Sequence, residues 1–170
     1  MSTAVGGSAK GGSRAGRRVS LEAPADLAAA PGYGARRLYQ AYLAAWNRHV
    51  DSVLTGPQFA VLSAVRAYPG FDQTALAKAV ALDTSTMADV CRRLENRGLI
   101  ARGPAPHDAR AKVLTLTDEG LAAFREVTRR TRKLDQALLA DCPEERRAEI
   151  AGMLNELGAL WEAVAERPEI

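Results

Sequence analysis

Short polar and cationic side chains recur on one face of a predicted helix, residues 84–97. The apolar residues of this segment, Met87, Val90, Cys91 and Leu94, are spaced three or four positions apart, which is typical of an amphipathic helix. The other face carries groups that can pair with base edges or phosphates: Thr84, Ser85, Thr86, Asp89, Arg92 and Arg93. Asp83, Thr84 and Ser85 are also good helix caps, and Asp89 could simply pair with a neighbouring arginine. The spacing therefore predicts either a DNA-reading face or a capped, solvated one.

A second group of charged residues follows this helix. We predict that Gly98 ends the helix, that residues 99–102 are extended, that 103–111 form a nine-residue loop, and that 112–117 return as a strand. Arg110 in the loop could enter a minor groove, where narrow A·T stretches concentrate negative potential. Lys112 could contact phosphate, and Asp108 would share a face with Arg110. The alternative is an ordinary solvated ion pair.

These elements combine with a shorter helix upstream. Residues 72–80 are predicted to be helical, and residues 81–83 form a turn before the helix at 84–97. A helix-turn-helix followed by a β-hairpin is a winged helix, and a helix about 10–12 Å across fits a major groove about 12 Å wide. We therefore predict that this part of the chain binds double-stranded DNA.

A separate set of residues could hold a small molecule. Tyr42, Trp46 and His49 lie within two turns of a long predicted helix, residues 33–54, and Phe59 and Arg66 lie on the next helix. An aromatic wall with a cation suits an aromatic carboxylate. The alternative is that Trp46 and Phe59 belong to the core and that His49 lies on the surface.

The helices at both ends of the chain carry more apolar surface than one small core can use. Stripes recur along residues 33–54, along 118–138 and from 143 onwards. We therefore predict a mostly α fold with a small β-hairpin wing. Residues 21–170 would form a single domain, with a winged-helix lobe at 56–117 and homodimerisation helices at 33–54 and 118–166. Thr55 and Gln58 are spaced as a capping box at the start of the lobe.

Composition narrows the function classes. The chain has 170 residues and a formal net charge of +3, but four cations lie in residues 1–20, which we interpret as a disordered basic tail. Two separated cysteines, Cys91 and Cys142, give neither a disulfide framework nor a metal site and suit a reducing cytoplasm. There is no membrane span, phosphate loop or paired catalytic group. We therefore predict a cytoplasmic protein that is not an enzyme and needs no cofactor.

Several motifs occur in a fixed order: Leu54-Thr55…Gln58-Phe59…Leu62, Leu76-Ala77…Leu82…Ser85-Thr86…Leu94-Glu95…Arg97-Gly98-Leu99-Ile100 and Asp108-Ala109-Arg110…Leu114-Thr115-Leu116-Thr117…Gly120. Together they resemble the MarR family of bacterial transcriptional regulators. The resemblance extends over about residues 33–164.

The resemblance implies a homodimer that binds pseudo-palindromic operators, with Asp108 holding the wing by a salt bridge. It also implies a repressor that a small aromatic or phenolic acid releases from its operator. Two alternatives stay open at this point: a winged helix that docks proteins, and a thiol-based redox regulator. The family's peroxide sensors carry their reactive cysteine in the first long helix, where this chain has none.

Overall fold

The computed structural model describes residues 22–51, 53–105 and 108–168, with backbone alone for 105 and 108–112. Within these residues the order of elements is α1 (Ala25–Ala29), α2 (Pro31–His49), α3 (Gly56–Ala67), α4 (Gln73–Ala79), α5 (Thr84–Asn96), β1 (Ile100–Ala105), β2 (Asp108–Leu116), α6 (Asp118–Leu138) and α7 (Glu144–Ala165). The predicted fold class, mostly α with a small β-hairpin, is confirmed. The predicted basic tail at 1–20 lies outside the described residues.

The chain divides after Leu38 into two compact units. In the first, α1 is a short helix and α2 begins at Pro31, where proline suits a first helical position because its missing N–H needs no partner. The guanidinium of Arg36 lies 5.3 Å from the ring centre of Tyr33. The second unit contains the hydrophobic core and all the candidate sites.

The helix predicted at 33–54 ends early, at His49. The carboxylate of Asp51 accepts hydrogen bonds from the backbone N–H groups of Val53 (2.6 Å) and Leu54 (2.7 Å), and this local turn competes with the helix. Val50 and Leu54 are nevertheless buried, whereas Val53 is 68% exposed. The apolar periodicity therefore predicted burial correctly at two positions where it predicted helix wrongly.

Local capping explains the start of each helix in the lobe. Thr55 and Gln58 form the predicted capping box of α3, and Asp72 caps α4 by accepting from the N–H of Ala75 at 2.8 Å. Gln58 is also buried, where its side-chain oxygen accepts from Arg97 at 3.4 Å. The Gln58–Arg97 contact therefore joins the start of α3 to the end of α5.

The core of the second unit is formed mainly by α3, α4, α5 and the hairpin. Fully buried members include Leu62, Leu76, Met87, Leu94 and Leu114. In α4 the buried residues are Leu76 and Ala77, whereas Ala79, two residues further on, is exposed.

The hairpin is longer than predicted. β1 and β2 pair antiparallel from Ile100 opposite Leu116 to Ala105 opposite Asp108, with a register shift between Pro104 and Ala105. Most of the predicted loop at 103–111 is therefore strand, and the predicted strand at 112–117 begins four residues earlier. Pro104 is compatible with a strand because each strand of a two-stranded sheet has one edge without a partner, and a nitrogen directed to that edge makes no ladder hydrogen bond.

The hairpin meets α6 at a very close backbone contact. Gly98 ends α5 with a positive φ of 67°, and the hydroxyl of Thr117 donates to the Gly98 carbonyl at 2.6 Å. A Cβ added at Gly120 would lie 1.8 Å from the carbonyl oxygen of Leu99. Glycine at 120 is therefore required by this approach and not by backbone conformation.

The two C-terminal helices differ in burial. α6 buries Val127 and Leu134, whereas none of the residues of α7 is buried. The exposed apolar side chains of α7 are Met153, Leu154, Leu157, Leu160, Trp161 and Val164. None of the helices in the described part of the chain has the length and apolarity needed to cross a membrane.

Candidate nucleic-acid interface and effector cleft

The two faces of α5 have separate environments. Met87, Cys91 and Leu94 have no exposed surface, and Val90 is 8% exposed. The predicted base-reading residues lie on the other face: Thr84, Ser85, Thr86, Asp89, Arg92 and Arg93. Thr86 is half-buried, and the other five are exposed. The helix is thus anchored by one stripe and presents the polar groups on the other.

Asp83 caps α5, and its carboxylate also accepts from two of the predicted base-reading hydroxyls, those of Ser85 and Thr86. Its Oδ1 accepts from the N–H of Thr86 at 2.9 Å and from the hydroxyl of Ser85 at 2.5 Å, while Oδ2 accepts from the hydroxyl of Thr86 at 2.5 Å. These hydrogen bonds, that of Ser85 first, hold the pKa of Asp83 far below its usual range. Of the three capping alternatives, Asp83 is therefore the cap.

Asp89 forms the ion pair that the alternative interpretation predicted. Its Oδ1 lies 2.6 Å from Nη2 of Arg92, one turn later, and both side chains are more than half exposed. Such exposed pairs contribute at most about 1 kcal/mol, so phosphate can compete for Arg92 at small cost. Arg93 is exposed on the next position.

Arg102 is a residue that the sequence interpretation missed. On β1, its Nε lies 3.1 Å from Oε1 of Glu95 on α5, and its Nη2 donates to Oε1 of Gln73 on α4 at 3.0 Å. One guanidinium therefore joins the hairpin to both helices of the helix-turn-helix. Nothing local signals this, because the partners lie 7 and 29 residues away in sequence.

The charged residues predicted on the wing all fall on β2. Asp108 pairs in register with Ala105, Lys112 pairs with Pro104, and Arg110 lies between them. Their side chains lie outside what the structure describes. The backbone therefore puts Asp108 and Arg110 on a strand instead of in the predicted loop, and Lys112 on a strand as predicted.

An apolar cleft of about 570 Å³ lies among α2, α3, α6 and the turn between α4 and α5. Three of the five predicted ligand residues line it together: Tyr42, Trp46 and Phe59, with neighbouring ring centres 6.0 and 5.7 Å apart. Trp46 also belongs to the core, since it is 1% exposed and its indole N–H donates to the Leu54 carbonyl at 2.9 Å. The core and ligand interpretations of Trp46 are therefore compatible.

The other two predicted ligand residues do not line this cleft. His49 is exposed at the end of α2. The Arg66 guanidinium lies 5.0 Å from the ring centre of Phe124, and that ring stacks on Phe59 at 5.5 Å. Arg66 is thus separated from the cleft by two aromatic rings.

The polar groups of the cleft are hydroxyls. Ser63 and Thr131 donate to carbonyls of their own helices, at 2.8 and 2.9 Å. Burial raises the pKa of Tyr42, and the carboxylate of Asp135 and the hydroxyl of Tyr39 add to that shift. Burial also raises the pKa of Asp135. The lining within the described residues is uncharged and mostly apolar.

Cys91 has the environment of a structural cysteine. It has no exposed surface, and burial raises the pKa of its thiol to about 11. The thiolate is the form that reacts with oxidants, so this group is poorly suited to redox sensing. Cys142 is half-buried at the turn before α7.

Comparison with known proteins agrees with this geometry. The model of the MarR family matches residues 54–112, which cover the helix-turn-helix and most of the hairpin. The PcaV transcriptional regulator from Streptomyces coelicolor, solved in complex with its natural ligand, is 40% identical. The alignment covers 81% of this chain and 98% of PcaV, with a TM-score of 0.75. The chain belongs to the MarR family.

Other MarR-family relatives are similar over different lengths. The transcriptional regulator HosA of Escherichia coli O111:H- is 40% identical over 85 residues, which are 50% of this chain and 62% of HosA. The match thus spans less than two thirds of that relative. BpsR of Bordetella bronchiseptica, whose DNA binding is regulated by 6-hydroxynicotinic acid, is 30% identical over 80% of this chain and 98% of BpsR, with a TM-score of 0.73. PcaV and HosA are both named as transcriptional regulators.

Proposed function

We propose that this MarR-family protein is a homodimeric transcriptional repressor that binds a pseudo-palindromic operator and is released by a small aromatic acid. The observation that carries the proposal is the division of α5 into a wholly buried stripe and an exposed polar face, beside a β-hairpin. The regulation of BpsR by an aromatic acid supports it.

The DNA contacts follow from this arrangement. α5 enters the major groove, with Ser85, Thr86 and Asp89 in its first turns facing base edges. Arg92 and Arg93 pair with guanine or phosphate. On the hairpin, Arg110 enters the minor groove, with Asp108 and Lys112 beside it supporting the wing and contacting phosphate. In this proposal Thr84 contributes only a backbone or phosphate contact.

Dimerisation is the second part of the proposal. The exposed apolar face of α7 needs a partner, and a second copy of the same face is self-complementary by two-fold symmetry. Residues 33–54 and 118–166 would form the dimer region, and 56–117 the DNA-binding lobe. The dimer holds two α5 helices about 34 Å apart, so that both enter successive major grooves.

The cleft provides a route from effector to DNA. Its walls include Ala79, Val80, Ala81 and Leu82, which directly precede the cap of α5. Ala81 has a positive φ of 53°, a conformation that a non-glycine residue adopts at some cost. A ligand bound against this turn changes the position of α5 to the extent that it prefers one arrangement over another. The volume is in the range of small-ligand sites.

In the effector complex, Tyr42, Trp46 and Phe59 contact the aromatic ring. The carboxylate needs a cation, which the lining does not supply, so we assign it to Arg66 or His49 after movement of a side chain. Arg66 is the better placed of the two because the Phe124 ring next to it stacks on Phe59.

The DNA-binding half is tested by titrating duplexes from the protein's own upstream region. We expect affinity to fall by orders of magnitude between 50 and 200 mM salt, because several phosphates are neutralised. Arg110→Ala should weaken binding at least about tenfold at fixed salt. The matched control is Arg129→Ala on α6, which removes the same charge from an arginine paired with Glu126. Absence of duplex binding would favour the protein-docking alternative.

The effector half is tested by thermal shift with hydroxylated benzoates and 6-hydroxynicotinic acid. Ala60 of α3 lines the cleft, so Ala60→Leu should fill it and abolish the ligand-induced rise in melting temperature. Ala67→Leu, at the exposed end of the same helix, should leave that rise intact. A ligand-induced rise that survives Ala60→Leu would exclude this cleft as the effector site. That outcome would leave the proposed DNA binding, which is tested by the duplex titration, unaffected.

A further inference from the structure

We infer that Asp83 sets the hydrogen-bonding polarity of Thr86 and Ser85, so that these hydroxyls accept hydrogen bonds from exocyclic amino groups of adenine or cytosine. Asp83 is a positioning residue that contributes to base specificity through its neighbours. The inference rests on the proposed DNA-binding function and adds to it which chemical groups of the operator the first turn of α5 recognises.

The geometry leaves the hydroxyl hydrogens no other partner. Oδ1 and Oδ2 of Asp83 each lie 2.5 Å from a hydroxyl oxygen, that of Ser85 and that of Thr86 respectively. An ionised carboxylate only accepts, so both hydroxyls must donate. Hydrogen bonds of this length to a charged acceptor are the strong kind. The hydroxyls are therefore held with their hydrogens pointing back to the cap.

The consequence for recognition follows from the base edges. A hydroxyl whose hydrogen is committed has only lone pairs to offer. In the major groove the hydrogen donors are the amino groups of adenine and cytosine, whereas guanine O6 and thymine O4 are acceptors. Ser85 and Thr86 should therefore favour a base with an amino group at the positions that they contact, and disfavour one with a carbonyl.

Asp83→Asn reverses the hydrogen-bonding role, from donor to acceptor toward residue 83, of only one of the two hydroxyls, that of Thr86. The side-chain oxygen must stay in the Oδ1 position, because the N–H of Thr86 donates to that atom at 2.9 Å. The amide nitrogen then occupies the Oδ2 position and donates to the Thr86 hydroxyl, which frees the Thr86 hydrogen. Ser85 continues to donate to Oδ1. Asparagine is as good a helix cap as aspartate, so the fold is retained.

The experiment begins with duplexes selected from a random pool by the wild-type protein. Every single base-pair variant of the selected site is then titrated with wild type and with Asp83→Asn. We expect the preference at one position per half-site to move by about tenfold, from an amino-bearing to a carbonyl-bearing base. Preferences at the other positions should not change.

Two further variants distinguish polarity from loss of charge. Asp72→Asn removes the same charge from the cap of α4, where the carboxylate accepts from a backbone N–H, and should leave all base preferences unchanged. In Thr86→Val, which keeps the shape and lacks the hydroxyl, adding Asp83→Asn should no longer alter the preference at that position.

The outcomes separate the inference from the function on which it rests. If wild type selects no sequence from the pool, the proposed function fails. If wild type selects a site and Asp83→Asn strengthens binding to every duplex equally, only a charge effect is present and the inference is overturned. The inference is equally overturned if the shift in preference persists in the Thr86→Val background.

Discussion

The apolar stripes of α5 and α7 are similar in sequence and opposite in burial. In α5 the stripe is closed off from solvent, with Met87, Cys91 and Leu94 at 0% exposure. In α7 the corresponding residues remain open, with Leu157 at 49% and Leu160 at 56%. Periodicity alone predicts a buried face for both helices, and only the fold shows which of them the single chain can bury.

This difference separates the DNA-binding lobe, which buries its own apolar side chains, from α7, whose apolar side chains need another surface to cover them. The lobe has capped helices, a filled core and cross-links such as the Arg102 guanidinium between β1, α4 and α5. α7 has the surface of a helix that suits a partner, because burying apolar surface contributes about 25 cal/mol per Å² and the large apolar side chains of this face remain 38–56% exposed in one chain. The two regions should therefore respond differently to mutation and to protein concentration.

The largest effect is expected from Leu157→Arg, at the centre of the exposed apolar stripe of α7. In a two-fold dimer the change occurs twice, and each lost leucine costs about 1.5 kcal/mol or more. The dimer dissociation constant should therefore rise by at least on the order of 100-fold. Light scattering across a concentration series measures the change directly.

Asn155→Arg is the matched control for this variant. It adds the same charge on the same helix, but residue 155 lies on the opposite side from the apolar stripe. The control should remain dimeric, and its melting temperature should still rise with protein concentration. If Leu157→Arg is also dimeric, the stripe of α7 is not the interface and the comparison with α5 loses its explanation.

A smaller effect, with a different signature, is expected from Gly120→Ala in the lobe. The added Cβ would lie 1.8 Å from the carbonyl oxygen of Leu99, so backbone must shift at the junction of hairpin and α6. We expect a loss of about 2 kcal/mol in the free energy of unfolding. Denaturant titration should show this loss at all protein concentrations, because the contact lies within one chain.

Gly34→Ala in α2 provides the comparison for that glycine. No atom lies within 4 Å of a Cβ added there, so the better helix propensity of alanine should leave stability unchanged or raise it by up to about 1 kcal/mol. Equal destabilisation by both substitutions would mean that the close approach of Leu99 to Gly120 does not cause the loss of stability.

The contrast between local and distant contacts also explains what the sequence could predict. The capping box of α3 and the stripe of α5 were predicted because their partners lie within a few residues. The sequence did not predict the early end of α2, the long hairpin or the role of Arg102. Each depends on a turn or on a distant partner, and the spacing of apolar residues carries no information about either.

The candidate ligand residues show the same limit. Helical spacing correctly grouped Tyr42 and Trp46 on one side of α2, and Phe59 joins them from α3 to line the cleft. Spacing could not tell that Arg66 stacks on Phe124, away from that lining, because residue 124 lies on α6, which begins at Asp118. A face can be predicted from one helix, but a cavity needs the positions of several.

The smallest effect is expected where α6 connects to the end of α2. Glu126 accepts from Arg129 and Arg130, each at 2.8 Å, and Arg130 in turn donates to the Val50 carbonyl at 2.9 Å. These hydrogen bonds lower the pKa of Glu126 from 4.5 to about 2. A carboxyl whose pKa is depressed by folding stabilises the fold above its unfolded pKa and loses that contribution as pH falls through the folded value. The window here is therefore about pH 4.5 down to about pH 2.

Glu126→Gln removes the titrating carboxyl, so it isolates what the charge of Glu126 contributes to stability. We expect the variant to be less stable than wild type at pH 7, with the difference shrinking as pH falls from 4.5 towards 2, because the wild-type carboxyl then becomes increasingly protonated. Melting temperatures measured from pH 7 to 2 test the convergence. Glu149→Gln on α7, where the pair with Arg146 is long at 3.8 Å and both side chains are more than half exposed, is the control for the loss of one carboxylate. A constant difference between Glu126→Gln and wild type at every pH would show that packing, and not the charge, is what Glu126 contributes to this junction.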